Sequence, residues 1–263
     1  MRPWISNEGE ASVRLPAVQG DIERRLLVNY RVDPALIART LPRPFRPTLV
    51  DGSAVAGICL IRLGHLRPRG LPGWVGLRSE NAAHRVAVDW DDDSGTRSGV
   101  YIPRRDSDSL VNAVVEGRLY PGHHHRAHFQ VTESESDLRG SYASEDSSTV
   151  VSVHVRVVEE LTGSSLFRDV ASASAFFERG AVGFSATRDP SRLDGLELQT
   201  AAWRVEPGHV VSARSSFFDN VSVFPPGTAE LDCALVMRRV PVTWKALPQL
   251  HPGEGAREVH QSV

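Results

Sequence analysis

The stretch SAVAGICLIRLGHL, residues 53–66, decides the fold. Its apolar residues fill odd and even positions alike, and it shows neither a helical cap nor a 3.6-residue stripe. It therefore reads as a strand covered on both faces. A strand of that kind lies centrally in a sheet and needs partners on either side. The Asp51–Gly52 pair just ahead of it is a hairpin turn signal.

Working outward, IERRLLVNYRV (22–32) spaces Ile22, Leu26, Val28, Tyr30 and Val32 two apart, with a break at Arg24, which predicts a half-buried strand. Asp33 and Pro34 then read as N-cap and first residue of a short helix carrying Leu36, Ile37 and Leu41, ended by Pro42. Downstream, AAHRVAVDW and TRSGVYIP flank DDDSG as a second hairpin. The acidic triplet reads as a solvated turn, because the further oxygen ligands of an EF-hand loop are missing. Residues 107–116, SDSLVNAVVE, place Leu110, Val111, Val114 and Val115 on one helical stripe with Gly117 as C-cap. In TVVSVHVRVV, Val151, Val153, Val155 and Val157 point inward, while Ser152, His154 and Arg156 face solvent. A helix is expected near 172–179, stopping at Gly180, and three further strand-like runs follow before residue 244. Many long strands and few short helices predict an α+β, mainly β fold. One antiparallel sheet or barrel with helices at its rim is expected, since closure removes exposed edges. One domain spanning residues 1–263 is expected, its core at about 20–250 and both ends loose.

Composition narrows the partners. Lys plus Arg total 30 against 32 for Asp plus Glu, so no basic excess exists to neutralise phosphates or to coat an anionic membrane. No apolar run approaches the ~20 residues of a membrane span, and MRPWISNEGE lacks the apolar centre of a signal peptide. A cytoplasmic protein is expected. Cys59 and Cys233 sit in apolar strand-like runs without CxxC spacing and read as buried reduced thiols. Lys245 is the only lysine, which confines side-chain amine chemistry to one position.

The usual strong motifs are missing: no phosphate-cradling loop, no GxGxxG, no GxSxG and no HExxH. The chemistry-bearing stretch is GRLYPGHHHRAHFQV, residues 117–131. On a strand, His123 and His125 share one face and His124, Arg126 and His128 the other. Two same-face imidazoles can chelate zinc or iron, with Glu80 or His84 as a further ligand, but the spacing supplies no third ligand and no metal is expected. The same imidazoles suit acid/base work near neutral pH, and each can equally be an exposed rim residue.

YRVDPALIARTLPRPFRP, LRSENAAHRVAV and VYIPRRDSDSLVNAVVEGRLYPGHHHR, in this order and spacing, resemble segments of the acetoacetate decarboxylase superfamily. The likeness covers about residues 20–250 and is closest to an uncharacterised bacterial branch, a domain of unknown function. It implies a cone-shaped β-barrel around a small cavity, and oligomerisation as in the decarboxylases. In that family a lysine forms a Schiff base with the keto acid, its amine kept neutral by burial and a neighbouring cation. Gapless registration from Gly117–Arg118 places His125 at the nucleophilic lysine, Arg126 at its partner lysine and His124 at the preceding proline. Glu80 falls on the family's glutamate. Imidazole forms no imine with a ketone, so the Schiff-base mechanism does not carry over to His125. Lys245 is the one side chain that could revive it.

The resulting expectation is an enzyme, a lyase or hydrolase of small keto or carboxylic acids, that needs no cofactor. His125 would move protons with Glu80 assisting, and Arg104, Arg118 or Arg126 would hold a substrate carboxylate. The alternative is a noncatalytic barrel that binds a small organic acid. Neither nucleic acid nor a membrane is an expected partner, and a homo-oligomer follows only from the resemblance.

Overall fold

The computed structural model describes residues 17–72, 74, 76–109 and 122–252. Thirteen strands dominate the described residues: β1 (Val18–Val32), β2 (Arg46–Pro47), β3 (Leu49–Val50), β4 (Ser53–Pro68), β5 (Leu77–Asp92), β6 (Gly95–Ser107), β7 (His124–Glu133), β8 (Asp137–Ser144), β9 (Val150–Val157), β10 (Val182–Ala186), β11 (Leu193–Gln199), β12 (Glu206–Ser215) and β13 (Ala229–Leu250). Two helices accompany them, α1 (Pro34–Ala38) and α2 (Val170–Arg179). No described helix is long and apolar enough to cross a membrane.

The punctuation in the sequence does what its chemistry requires. Asp33 accepts from the backbone N–H groups of Ala35 and Leu36 at the start of α1, and Pro34 opens that helix. Asp51 and Gly52 both take positive φ, 46° and 78°, the geometry of a tight hairpin between β3 and β4. Asp169 caps α2 through a reciprocal pair with Ser172, and the helix ends at Gly180. β4, the stretch that decides the fold, lies between β1 and β5 and is buried along most of its length. Val151, Val153 and Val155 are buried as expected. His154 is half-buried rather than simply exposed, its Nε2 2.7 Å from Asp137. The helix expected over 107–116 does not begin at its first residue, since Ser107 closes β6, and residues 110–121 lie outside the described part.

Two short parallel pairings, β6 with β7 and β6 with β10, interrupt an otherwise antiparallel sheet. They let β6 serve two neighbours along one edge, Val100–Ile102 toward β10 and Arg105–Ser107 toward β7. The pairings consequently run round two rings. The larger passes β6–β7–β8–β9–β12–β13–β1–β4–β5 and the smaller β6–β10–β11–β13–β1–β4–β5. Strands β13, β1, β4, β5 and β6 form a wall common to both. One face of this wall carries Leu26, Val28, Ile58, Leu60 and Ala82 into a core shared with Leu138, Tyr142, Val151 and Val153. The other carries Leu27, Cys59, Ala83 and Ile102 against Phe167, Ala173 and Phe177. Because successive strand side chains alternate, every wall residue belongs to one side or the other.

Candidate functional site

The strand register lays the wall out in cross-strand rows. Leu27, Cys59, Ala83, Arg105 and His124 stand in one row, and Arg25, Ile61, Asn81 and Ser107 in the next. Asn29, Gly57 and Arg85 form a third. Within the smaller ring these rows border a partly enclosed cavity of about 80 Å³, lined by Arg25, Cys59, Asn81, Arg85, Arg105 and His124. Its opposite side is made by Gly180, Ala181, Gly183, Leu196, Leu198 and Trp244. At about 10–15 Å³ per water-sized position, the space suits a molecule of several heavy atoms.

The electrostatics of this cavity are lopsided. Arg85 is 3% exposed, yet among the described residues it forms no ion pair. One end of its guanidinium donates to the Asn29 side chain, its Nε has no hydrogen-bond partner, and its carbon lies 4.6 Å from the centre of the Phe177 ring. Burial lowers its pKa to about 10, with Arg25 adding repulsion and the two cysteines opposing it. Arg25 likewise forms no ion pair among the described residues, its Nε donating to Cys59 Sγ at 3.4 Å. Arg105 Nε donates to Ser185 Oγ at 2.9 Å. Asp106 also borders the cavity, but its carboxylate is committed to Arg104, at 2.9 Å. A buried cation without a carboxylate, as Arg85 is among the described residues, is costly, and an anion in the cavity would relieve the cost. Both cysteines are free and buried, as the sequence suggested, and burial pushes the Cys233 thiol up to about 12.

The sequence-derived candidates lie mostly across the wall. Row by row, Arg24, Arg62 and Glu80 are neighbours there, as are Leu26, Leu60, Ala82, Asp106 and His125. Glu80 binds Arg24 and Arg62, each at 2.6 Å, and Glu133 bonds the same two arginines. Its carboxylate is thus occupied within a four-membered ion network. His125 Nδ1 lies 3.1 Å from Asp146, and its ring meets that of His123 at 4.4 Å. Burial lowers its pKa, assisted by Arg104 and His123 and opposed by Asp106 and Asp146. Arg104 chelates Asp106 and reaches Asp146 at 3.1 Å. Arg126 bonds the Asp108 carbonyl at 2.7 Å and approaches Glu145. Neither Glu80, His125, Arg104 nor Arg126 lines the cavity, and Glu80 and His125 are engaged with different partners, Glu80 with Arg24 and Arg62 and His125 with Asp146. Arg118 lies outside the described residues. No group of three or more metal-ligating side chains occurs among the described residues.

The residues that do line the cavity left a signal in the sequence. Arg25 directly precedes an apolar run, in RRLLV, and Arg85 interrupts one, in AAHRVAV. His124 and Arg105 adjoin the expected site residues His125 and Arg104, one position away and therefore on the opposite face. Lys245 is exposed, although its neighbour Trp244 lines the cavity.

The same architecture occurs in solved structures. The enduracididine biosynthesis enzyme MppR complexed with pyruvate is 16% identical, with 94% of each chain covered and a TM-score of 0.58. An acetoacetate decarboxylase-like enzyme from Sphingomonas wittichii RW1 is 14% identical over 91% of this chain and 94% of its own, also with a TM-score of 0.58. Acetoacetate decarboxylase from Legionella pneumophila is 12% identical over 95% and 92%, with a TM-score of 0.52. The fold is therefore acetoacetate decarboxylase-like. No curated protein matches the sequence significantly. A family model, DUF2071, described as an uncharacterized conserved protein, matches residues 21–238.

Proposed function

The chain belongs to that DUF2071 family, and from this premise we propose that it is an enzyme binding a small 2-oxo acid in the arginine-lined cavity and moving a proton beside its carbonyl without forming an imine. One observation carries the reading: Arg25 and Arg85 border a partly enclosed space and, among the described residues, pair with no carboxylate. A ligand carboxylate would be met by guanidinium groups whose fork-shaped donors suit it. His124, 4% exposed on the same surface, is the group for proton transfer. It would take a proton from the carbon next to the ketone while the arginines steady the charge developing on oxygen. Glu80 and His125 enter as positioning residues, because the strands bearing their ion pairs also hold Asn81 and His124 in place. The binding of pyruvate named for MppR is in keeping with this ligand class.

The test is hydrogen–deuterium exchange at the methyl group of pyruvate in D2O, followed by NMR alongside thermal-shift titration of the same acid. Protein-dependent exchange together with stabilisation supports the reading. Stabilisation without exchange converts the protein into the noncatalytic binding barrel. The absence of both overturns the proposal.

A further inference from the structure

A second cavity adjoins the first. It measures about 100 Å³ and is lined by Thr48, Ala87, Ser98, Gly99, Val100, Phe176, Phe177, Arg179 and Gly180, so it lies between the last turns of α2 and strands β5 and β6. Val100 and Gly180 border both spaces. The boundary is marked a third time, because Arg85 lines the first cavity and rests on the ring of Phe177, which lines the second. Apolar side chains and glycines make up most of the second lining, and Thr48 and Ser98 are engaged with Asp89 at 2.8 and 2.7 Å. The exposed Arg179 stands at its outer end. Gly180 adds no side chain at this shared border, where a Cβ would be in ordinary contact with Phe177 O and Val100 Cγ1 at 3.5 and 3.7 Å.

From this arrangement we infer that the preferred ligand is a 2-oxo acid with an apolar tail, its carboxylate among Arg25, Arg85 and Arg105 and its tail passing Val100 and Gly180 into the chamber under Phe177. The inference rests on the function proposed above and names the substrate class of that site. A molecule of pyruvate size fills only the polar chamber and leaves the apolar one unused. Each methylene entering the second chamber should raise affinity about fourfold, the transfer free energy of a buried CH2 expressed as a ratio. The second chamber ends, so the gain should stop once it is full.

The experiment is a thermal-shift and calorimetric titration of straight-chain 2-oxo acids from pyruvate to 2-oxooctanoate, together with phenylpyruvate. Affinity should climb stepwise with chain length by at least tenfold in total and then level off. Ser98→Phe, at an exposed strand position whose side chain borders only the second chamber, should abolish that climb while leaving the pyruvate response as in the parent protein. Phe176→Ala should move the plateau to longer acids. Melting curves of the ligand-free variants identify one that fails to fold, in which case the other decides. If pyruvate binds but affinity stays flat along the series, the inference fails while the proposed function stands. If no acid of any length binds, both fall.

Discussion

The guanidinium of Arg85 lies over the face of Phe177, 4.6 Å from the ring centre, and this contact joins a strand of the wall to the helix that covers it. An aromatic face is a weak substitute for a carboxylate, so it compensates the buried cation incompletely. Arg85→Met should therefore abolish the thermal shift produced by 2-oxo acids. It should also raise the melting temperature of the ligand-free protein, because an apolar side chain of similar length replaces a buried charge. A fall in melting temperature with ligand response retained would contradict the assignment of Arg85 to ligand binding.

His124 and His125 are adjacent in sequence but face opposite sides of the wall. His124→Asn should lower the rate of methyl-proton exchange about 100-fold with little change in the binding constant for the acid. His125→Ala, across the wall, should leave the rate within about threefold. Exchange kinetics under saturating pyruvate distinguish the two, and the reverse ranking would restore His125 as the proton carrier.

Much of this architecture was legible in the residues, and the side of the wall was not. The β4 run, the Asp51–Gly52 turn and the Asp33–Pro34 cap announced themselves because propensity, patterning and tertiary burial agree there. The candidate site depended instead on parity. Counting forward from Gly117 chose His125, whereas its neighbour His124 lines the cavity, and in β1 an extra residue between Ile22 and Arg24 breaks the alternation against β4. The extra residue in β1 exchanges the faces on either side of it, Ile22 and Leu26 falling in different apolar clusters. Arg25 follows that irregularity, whereas Arg85 sits in the unbroken alternation of β5 with Ala83 and Ala87, and arginines on separate strands share a direction only once the register between the strands is known. The ring of Phe177 beneath Arg85 joins positions far apart in sequence, and no local pattern encodes such a pairing.

His84 is 2% exposed, with Nε2 3.1 Å from Ser215 Oγ, and burial reinforced by Arg104 lowers its pKa from 6.5 to about 4. The native state therefore resists protonation that the unfolded chain accepts. Its contribution to stability is full above pH ~6.5 and declines as pH falls to ~4, by about 3 kcal/mol in all, after which the native state also takes the proton. Denaturant unfolding from pH 7 to pH 4.5 should show this loss, and His84→Gln should remove most of it. An unchanged slope in that variant would assign the acid sensitivity to other groups.

Glu80 holds Arg24, whose side chain is 4% exposed, and Arg62 at the same time. Glu80→Gln leaves both cations with only Glu133, and should cost about 2–3 kcal/mol in chemical denaturation. The response to pyruvate should survive in the folded fraction. A variant of normal stability that no longer binds the acid would move Glu80 from positioning to direct contact.

Lys245 supplies the last test of the mechanism. Borohydride reduction in the presence of pyruvate should add no mass at this residue, and Lys245→Arg should exchange methyl protons at the parental rate. A reduced adduct on Lys245 would establish the imine route that the proposal excludes.

The outward placement of Lys245, the sole lysine of the sequence, has a practical corollary. Apart from the terminal amine, an amine-directed dye or surface tether has one side chain to find, on the exterior of β13, while the ligand chamber stays clear. The molecule thus carries its own attachment handle, and an immobilised sample should retain an open binding site for screening acids.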